Sequence, residues 1–186
     1  DAGNIDRITI EVEECRRMNL NVLPPDINES FPGFAVVKGT NNIRWGLKAI
    51  KNVGTEIAEI IVRERKTNGV FTDLSDFLTR VNSHAFNRKT LEALTKAGAL
   101  DRFGDRITLV TNLDQLVMYS KQAQTEKDRN QSSLFEMTPE MSKQKLELRP
   151  AEPVSKSQLL SWEKELLGLY VSAHPTSLFY DKFGPY

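Results

Sequence analysis

One cysteine in 186 residues, Cys15, is too few for an internal disulfide and excludes a cysteine-cluster metal site. Histidine is almost as scarce. His84 and His174 stand apart with no second ligand at metal spacing, so both are read as structural. No apolar run approaches the length of a membrane span, and the opening Asp1-Ala2-Gly3-Asn4 is neither a signal sequence nor an initiator methionine. The expectation is a piece of a larger cytoplasmic protein with no membrane partner. Net charge is missing too, because 25 basic residues balance 25 acidic ones. A contact with nucleic acid must therefore come from a local patch and not from global charge. What is present, 39% apolar and 27% charged residues, suits a folded chain with one sizeable core or one compact domain with flanking pieces.

The most informative stretch covers residues 44–65. Leu47 and Ile50 give a short first helix one apolar side, Asn52-Val53-Gly54 breaks it, and Ile57, Ile60 and Ile61 recur at helical spacing on a second helix. Asn52 and Gly54 are of the types that most readily adopt positive φ, so the chain can reverse there with Val53 turned inward as a plug. Such a turn exposes backbone amides. With the amino end of the second helix near Thr55 they form a positive concavity suited to a phosphate.

Residues 43–66 hold six basic side chains against three glutamates, with Lys48, Lys51, Arg63 and Arg65 near the turn in sequence. That local excess favours a polyanion. Glu56, in the first turn of the second helix, works against a phosphate, and an ordinary packed hairpin with a glycine turn fits the same pattern. The residues resemble the helix-hairpin-helix motif, which grips the backbone of double-stranded DNA without reading bases. The resemblance implies DNA contacts from Lys48, Lys51, Asn52, Val53, Gly54 and Thr55. Where that family usually carries glycine at both ends of the hairpin, this chain has Asn52 at the first.

Upstream, Ile5, Ile8, Val12 and Cys15 follow spacings of three and four, and Asn19 offers a left-handed stop, so a helix should end near Met18. Pro24-Pro25 extends the backbone after Leu20-Asn21-Val22-Leu23, which puts Val22 on or beside a short strand. Residues 34–37 and 43–45 read as a β-hairpin. Downstream, Thr72 is expected to cap a helix with Leu74, Phe77, Leu78 and Val81 on one face, and Asn87 to cap residues 88–96. Ala97-Gly98-Ala99 breaks that helix, and another runs from about Arg106 with Leu109, Val110, Leu113, Leu116 and Val117 inward. Two helical hairpins facing the same way would meet phosphates across a groove, which adds Gly98 to the candidate DNA contacts. Simple helical packing competes with that reading of Gly98, since only Lys96 and Arg102 stand near it.

From Lys121 to Ser157 polar residues and prolines dominate, as in a mobile linker. Within it, Gln131-Ser132-Ser133-Leu134-Phe135 sets two large apolar side chains in a segment with no core of its own. Leu134 and Phe135 could anchor in a partner's pocket with Gln131 as the polar handle at its rim, or Phe135 could fold back onto the helical unit. A last helix carries Leu159, Trp162 and Leu166 on one stripe and closes at Gly168. The expected fold is mainly α: a small helix and β-hairpin (1–42), a tandem helix-hairpin-helix domain (43–122), a flexible linker (123–157), and a helix with an extended segment (158–186).

Taken in order, these segments resemble the family of bacterial replicative DNA polymerase III alpha subunits, the C-family polymerases. Glu13-Glu14-Cys15-Arg16-Arg17-Met18 and residues 22–30 are similar to the end of that family's fingers domain, and residues 46–54 to its helix-hairpin-helix. Residues 87–104 are similar to its leucine-rich stretch, residues 131–135 to the peptide that holds the ring-shaped sliding clamp, and residues 162–168 with 172–175 to the run before its OB domain. The resemblance implies a non-catalytic part of a replicative polymerase that holds duplex DNA and tethers the enzyme to the clamp, the beta subunit. It implies clamp contacts from Gln131, Ser133, Leu134 and Phe135, other replisome subunits as partners of the parent protein, and catalytic aspartates with their Mg2+ in a palm domain before residue 1. No catalytic, metal or cofactor residue is expected in this chain. The rival readings are a protein-interaction module without DNA binding and a piece of a helix-hairpin-helix repair protein.

Overall fold

Spacing of three and four builds the first element, α1 (Ile5–Arg17), which turns Ile8 and Val12 into the core and ends before Asn19, whose φ of 57° stops the helix as expected. The computed structural model describes residues 5–81, 83, 86–132 and 146–172, with side chains described over 7–81, 83, 86–125 and 146–172. Three short strands follow: β1 (Asn21–Leu23), β2 (Ala35–Val36) and β3 (Asn42–Arg44). β2 pairs antiparallel with β3, the hairpin expected from the sequence, and β1 joins the other side of β3 in parallel, with Val22 opposite Ile43.

A parallel partner needs a crossover, and the chain makes it with residues 24–34. This crossover is built into the helical core. Ile27 is fully buried and its amide donates to the Ala99 carbonyl at 2.8 Å. The Asn28 side chain takes both polar groups of Phe71, its Nδ2 donating to the carbonyl and its Oδ1 accepting from the amide, each at 2.8 Å. Arg65 donates to the carbonyls of Ile27 and Ser30, both at 2.9 Å. Burial pushes the Arg65 pKa down from its ordinary value against the opposing pull of Asp26 and Glu29, and the guanidinium remains a cation. Residues 24–30 therefore share the core of the helical unit, although the sequence grouped them with a separate leading segment.

Six further helices lie among the described residues: α2 (Thr55–Asn68), α3 (Leu74–Arg80), α4 (Arg88–Lys96), α5 (Arg106–Thr111), α6 (Leu113–Ser132) and α7 (Lys156–Leu167). Mostly helical with one small sheet, the fold is of the expected class, and among the described residues no strand follows Arg44. α2 buries Ile57, Ala58, Ile61 and Val62, and burying each isoleucine stabilises the packing by about 1.5–3 kcal/mol. Asn87 caps α4 as expected, accepting from the Thr90 amide at 3.1 Å. The cap of α3 is Asp73 and not Thr72: the Asp73 carboxylate accepts from the Asp76 amide, while Asp76 reaches back to the amide of Thr72.

Downstream of Arg106 the structure departs from the single expected helix. Asn112 interrupts it because its buried side chain is engaged by a returning segment, accepting from the Arg149 amide at 3.0 Å and donating to the Arg149 carbonyl at 2.8 Å. Gln115 holds the Glu147 carbonyl in the same way, and Leu146 and Leu148 pack on the core. Of residues 123–157, read as a flexible linker, those through Ser132 continue α6, Glu147 and Arg149 are bonded to the domain, and 133–145 lie outside the described residues. The sequence reason for the longer helix is that Lys121 to Ser132 contains good helix formers and neither proline nor glycine. α7 packs on α4. It buries Leu160, Trp162, Glu163, Leu166 and Leu167, a face shifted from the Leu159 stripe, and closes at left-handed Gly168.

Candidate nucleic-acid interface

The hairpin between the sheet and α2 starts from a tighter turn than the sequence predicts. Leu47–Ala49 is one turn of 3-10 helix and not an α-helical limb, since Ile50 returns at once to extended geometry. Its amides are taken by the neighbouring loop, Leu47 N donating to Phe31 O at 2.9 Å and Lys48 N to Pro32 O at 3.1 Å. Gly46 permits that approach, because a Cβ there would lie 2.7 Å from the Phe34 nitrogen. Asn52 adopts φ 70°, Val53 is buried beneath the turn, and the Val53 amide closes it on Ile50 O at 3.0 Å.

Gly54 differs from expectation. Its φ is −72° and ψ 161°, an ordinary extended N-cap, so reversal rests on Asn52 alone. What Gly54 supplies is space, since a Cβ there would meet nothing within 4 Å. No side chain caps α2, and among the described residues no acceptor takes the amides of Gly54, Thr55 or Glu56. Three amides of exposed residues, at the positive end of a fourteen-residue helix, make a candidate anion cradle. The Glu56 carboxylate, which would compete with an anion, accepts from Ser83 Oγ at 3.2 Å in the α3–α4 loop.

Of the basic residues near the turn in sequence, Lys51 is adjacent to the cradle, exposed, and outside every ion pair among the described residues. Lys48 is also exposed, but it lines a cavity of about 230 Å³ with Arg7 and Glu11 of α1 and Phe34. Arg65 is held inside the fold as described, and Arg63 lies eight residues along α2 from Thr55, about 12 Å away at the helical rise. Closeness in sequence therefore overstated the local charge.

The second hairpin is built differently. Gly98 has φ 87°, is buried, and donates its amide to Thr95 O at 3.0 Å, so it offers no group to a phosphate. Its face is filled by Arg106, whose Cζ would lie 2.7 Å from a Cβ at Gly98. Gly98, one of the expected DNA contacts, is thus closed off by a side chain of its own fold. Arg106 pairs with Asp101 at 2.8 Å and with Glu163 of α7 at 3.1 Å. Burial would lower its pKa, but the hydrogen bonds and charges of the two carboxylates outweigh it and raise the pKa above its ordinary value. Arg102, the other basic residue nearby, bridges to Asp26 and Glu29 across the crossover.

Gln131 falls in the last turn of α6, with its side chain outside the described residues, as are Ser133, Leu134 and Phe135 entirely. His84 and His174 also lie outside them. Among the described residues no group of three or more histidine, cysteine or carboxylate side chains is placed to hold a metal ion, and no helix is long and apolar enough to cross a membrane.

Two features of the site escaped the sequence reading. The Lys51 amide donates to the Leu166 carbonyl of α7 at 2.9 Å, and Glu163, three residues earlier on α7, is a buried acceptor. The first leaves no sequence signal, being a main-chain contact. The second leaves one: Glu163 stands among Leu160, Leu166 and Leu167 on the buried face, where a carboxylate requires a partner.

Residues 19–109 match the family model described as a helix-hairpin-helix motif. The chain is 39% identical over 170 residues to DNA polymerase III subunit alpha of Thermus aquaticus, covering 91% of this chain and 13% of that protein. It is 37% identical over 178 residues to DNA polymerase III subunit alpha of Borreliella burgdorferi, covering 94% and 15%. It is 36% identical over 189 residues to the protein of the same description from Haemophilus influenzae, covering 100% and 16%. The chain thus spans 13% to 16% of the length of these curated relatives.

Proposed function

The chain belongs to the family of DNA polymerase III alpha subunits, and from that premise we propose that it holds duplex DNA by its phosphates and fastens the polymerase to the sliding clamp. The observation that carries the DNA role is the cradle of free amides from Gly54 to Glu56, open above Gly54 and flanked by Lys51. Asn52 sets the turn, Val53 anchors it, Thr55 begins the helix whose dipole faces the phosphate, and Lys48 adds charge on the α1 side. Such contacts carry no base information, so the grip is independent of sequence, as a polymerase moving along a template requires.

The clamp role rests on Gln131, Ser133, Leu134 and Phe135, with the two apolar side chains as anchors. Its benefit is multivalency, because a clamp already encircling the duplex raises the effective concentration of the hairpin at the DNA. In this reading the DNA-directed polymerase chemistry, with its Mg2+, belongs to a palm domain elsewhere in the parent protein. Other replisome subunits contact that protein, which acts in the cytoplasm.

Titration of a fluorescent duplex at increasing salt tests the DNA role. The expected result is a linear fall of log K with log salt, with a slope of about −0.9 for each phosphate neutralised by a basic side chain, weaker binding for Lys51→Glu, and little change between unrelated sequences. Salt-insensitive or sequence-selective binding refutes it. Loss of clamp binding when Gln131, Leu134 and Phe135 are all changed to alanine tests the tether, and unchanged binding refutes it.

A further inference from the structure

We propose that α7 is a working part of the DNA-holding site, with Glu163 a positioning residue that sets where the hairpin presents its amides. This rests on the phosphate-binding reading of the hairpin. Glu163 is wholly buried on a helix that Leu160, Leu166 and Leu167 could anchor by apolar contact alone. A buried carboxylate is tolerated only when its oxygens are paired, and both oxygens are engaged here. Oε1 accepts from Arg106 Nη1 at 3.1 Å, and Oε2 accepts from the amides of Val171 and Ser172, both at 3.0 Å.

A buried ion pair adds little net stability over a well-packed apolar substitute, but it fixes register, because only one rotation and translation of the helix brings the charges together. Apolar packing alone tolerates small slips. Register matters three residues further on. The last carbonyls of a helix have no partner within it, and that of Leu166 takes the Lys51 amide at 2.9 Å. Lys51 opens the hairpin turn, and its amide forms the only main-chain hydrogen bond that Lys51 or Asn52 donates to another element among the described residues. Thr90 Oγ1 of α4 also holds the Asn52 carbonyl, at 3.4 Å. The turn is thus bonded to both α4 and α7, and α7 is fixed by Glu163 against Arg106, which is itself locked to Asp101 at 2.8 Å. Because Glu163 also holds the amides of Val171 and Ser172, a shift of the segment leaving α7 moves the hairpin as well.

The test uses the full 186-residue chain with Glu163→Ala, the isosteric Glu163→Gln, and Lys51→Glu as a direct hairpin variant. Amide hydrogen exchange by NMR is read at Lys51, with Ala58 and Ile61 of α2 as internal references, and duplex affinity is read against salt. Glu163→Ala is expected to remove protection at Lys51 while the α2 amides stay protected. It should weaken duplex binding about tenfold and, as displaced Lys51 no longer neutralises its phosphate, make the salt slope shallower by about 0.9. A change that merely lowers the folded fraction leaves that slope unaltered. Glu163→Gln should show the same pattern at smaller amplitude, and it decides the matter if the alanine variant does not fold. Full protection at Lys51 with an unchanged slope in a folded Glu163 variant, while Lys51→Glu weakens binding, overturns the positioning role and leaves the DNA reading intact. If the unaltered chain binds no duplex, both fall.

Discussion

Gly54→Ala separates folding from binding at a single position. At φ −72° and ψ 161° the backbone is open to any L-residue, and the added methyl would meet nothing within 4 Å. Two small terms then compete in stability. Alanine is a poorer N-cap than glycine, which costs about 0.5–1 kcal/mol, and it restricts the unfolded chain more than glycine, which returns about 0.4–1 kcal/mol. The net change should stay within about 0.5 kcal/mol, a shift of about 1–2 °C in the thermal midpoint for a chain of this size. Binding responds otherwise. The methyl occupies the space through which a phosphate reaches the amides of Gly54, Thr55 and Glu56, and losing one hydrogen bond to a charged group is worth about 1.5–3 kcal/mol, or about tenfold or more in affinity. Differential scanning calorimetry and duplex titration at fixed salt measure the two quantities. A fall of several degrees in the midpoint refutes the conformational reasoning. Unchanged affinity beside a weakened Lys51→Glu variant shows that the lysine alone, and not the amide cradle, meets the DNA.

The second hairpin should respond in the opposite sense. Gly98→Ala forces a left-handed residue, at about 1–2 kcal/mol, and drives a Cβ against the Arg106 guanidinium, so a loss of about 3 kcal/mol or more is expected in chemical denaturation. Duplex binding per folded molecule should stay unchanged, because the Gly98 amide is already used within the turn. Asn28→Ala leaves the amide and carbonyl of Phe71 without their partner at a buried position, with an expected cost of about 3 kcal/mol in the same assay. A loss below about 1 kcal/mol shows that water replaces the side chain and that the crossover is not integral to the core.

Elements with a local cause were legible. Apolar spacing located most of the helices, Asn19 and Asn52 marked left-handed stops because their side chains tolerate that region, Asn87 gave a cap, and the turn residues 38–42 between two short apolar runs gave the β-hairpin. The order of these pieces, with the run from Gly46 to Gly54, was enough to place the chain in its polymerase family. Elements with a non-local cause were not legible. Asn112 breaks a helix because of Arg149, thirty-seven residues away, and β1 joins the sheet through a crossover whose polar groups are matched by Arg65 and Phe71.

The same division runs through the site. Sequence alone determined that a turn lies at Asn52–Gly54 with Val53 as its plug, since backbone tolerance and side-chain polarity are properties of the residues themselves. Tertiary structure decided that Lys51 stands at the cradle while Arg65 is consumed inside the fold, that Gly98 is closed by Arg106, and that α7 supplies the carbonyl holding the hairpin. Charge and hydrogen-bonding capacity are written in the chain, but which groups remain free is settled only when distant elements claim the others.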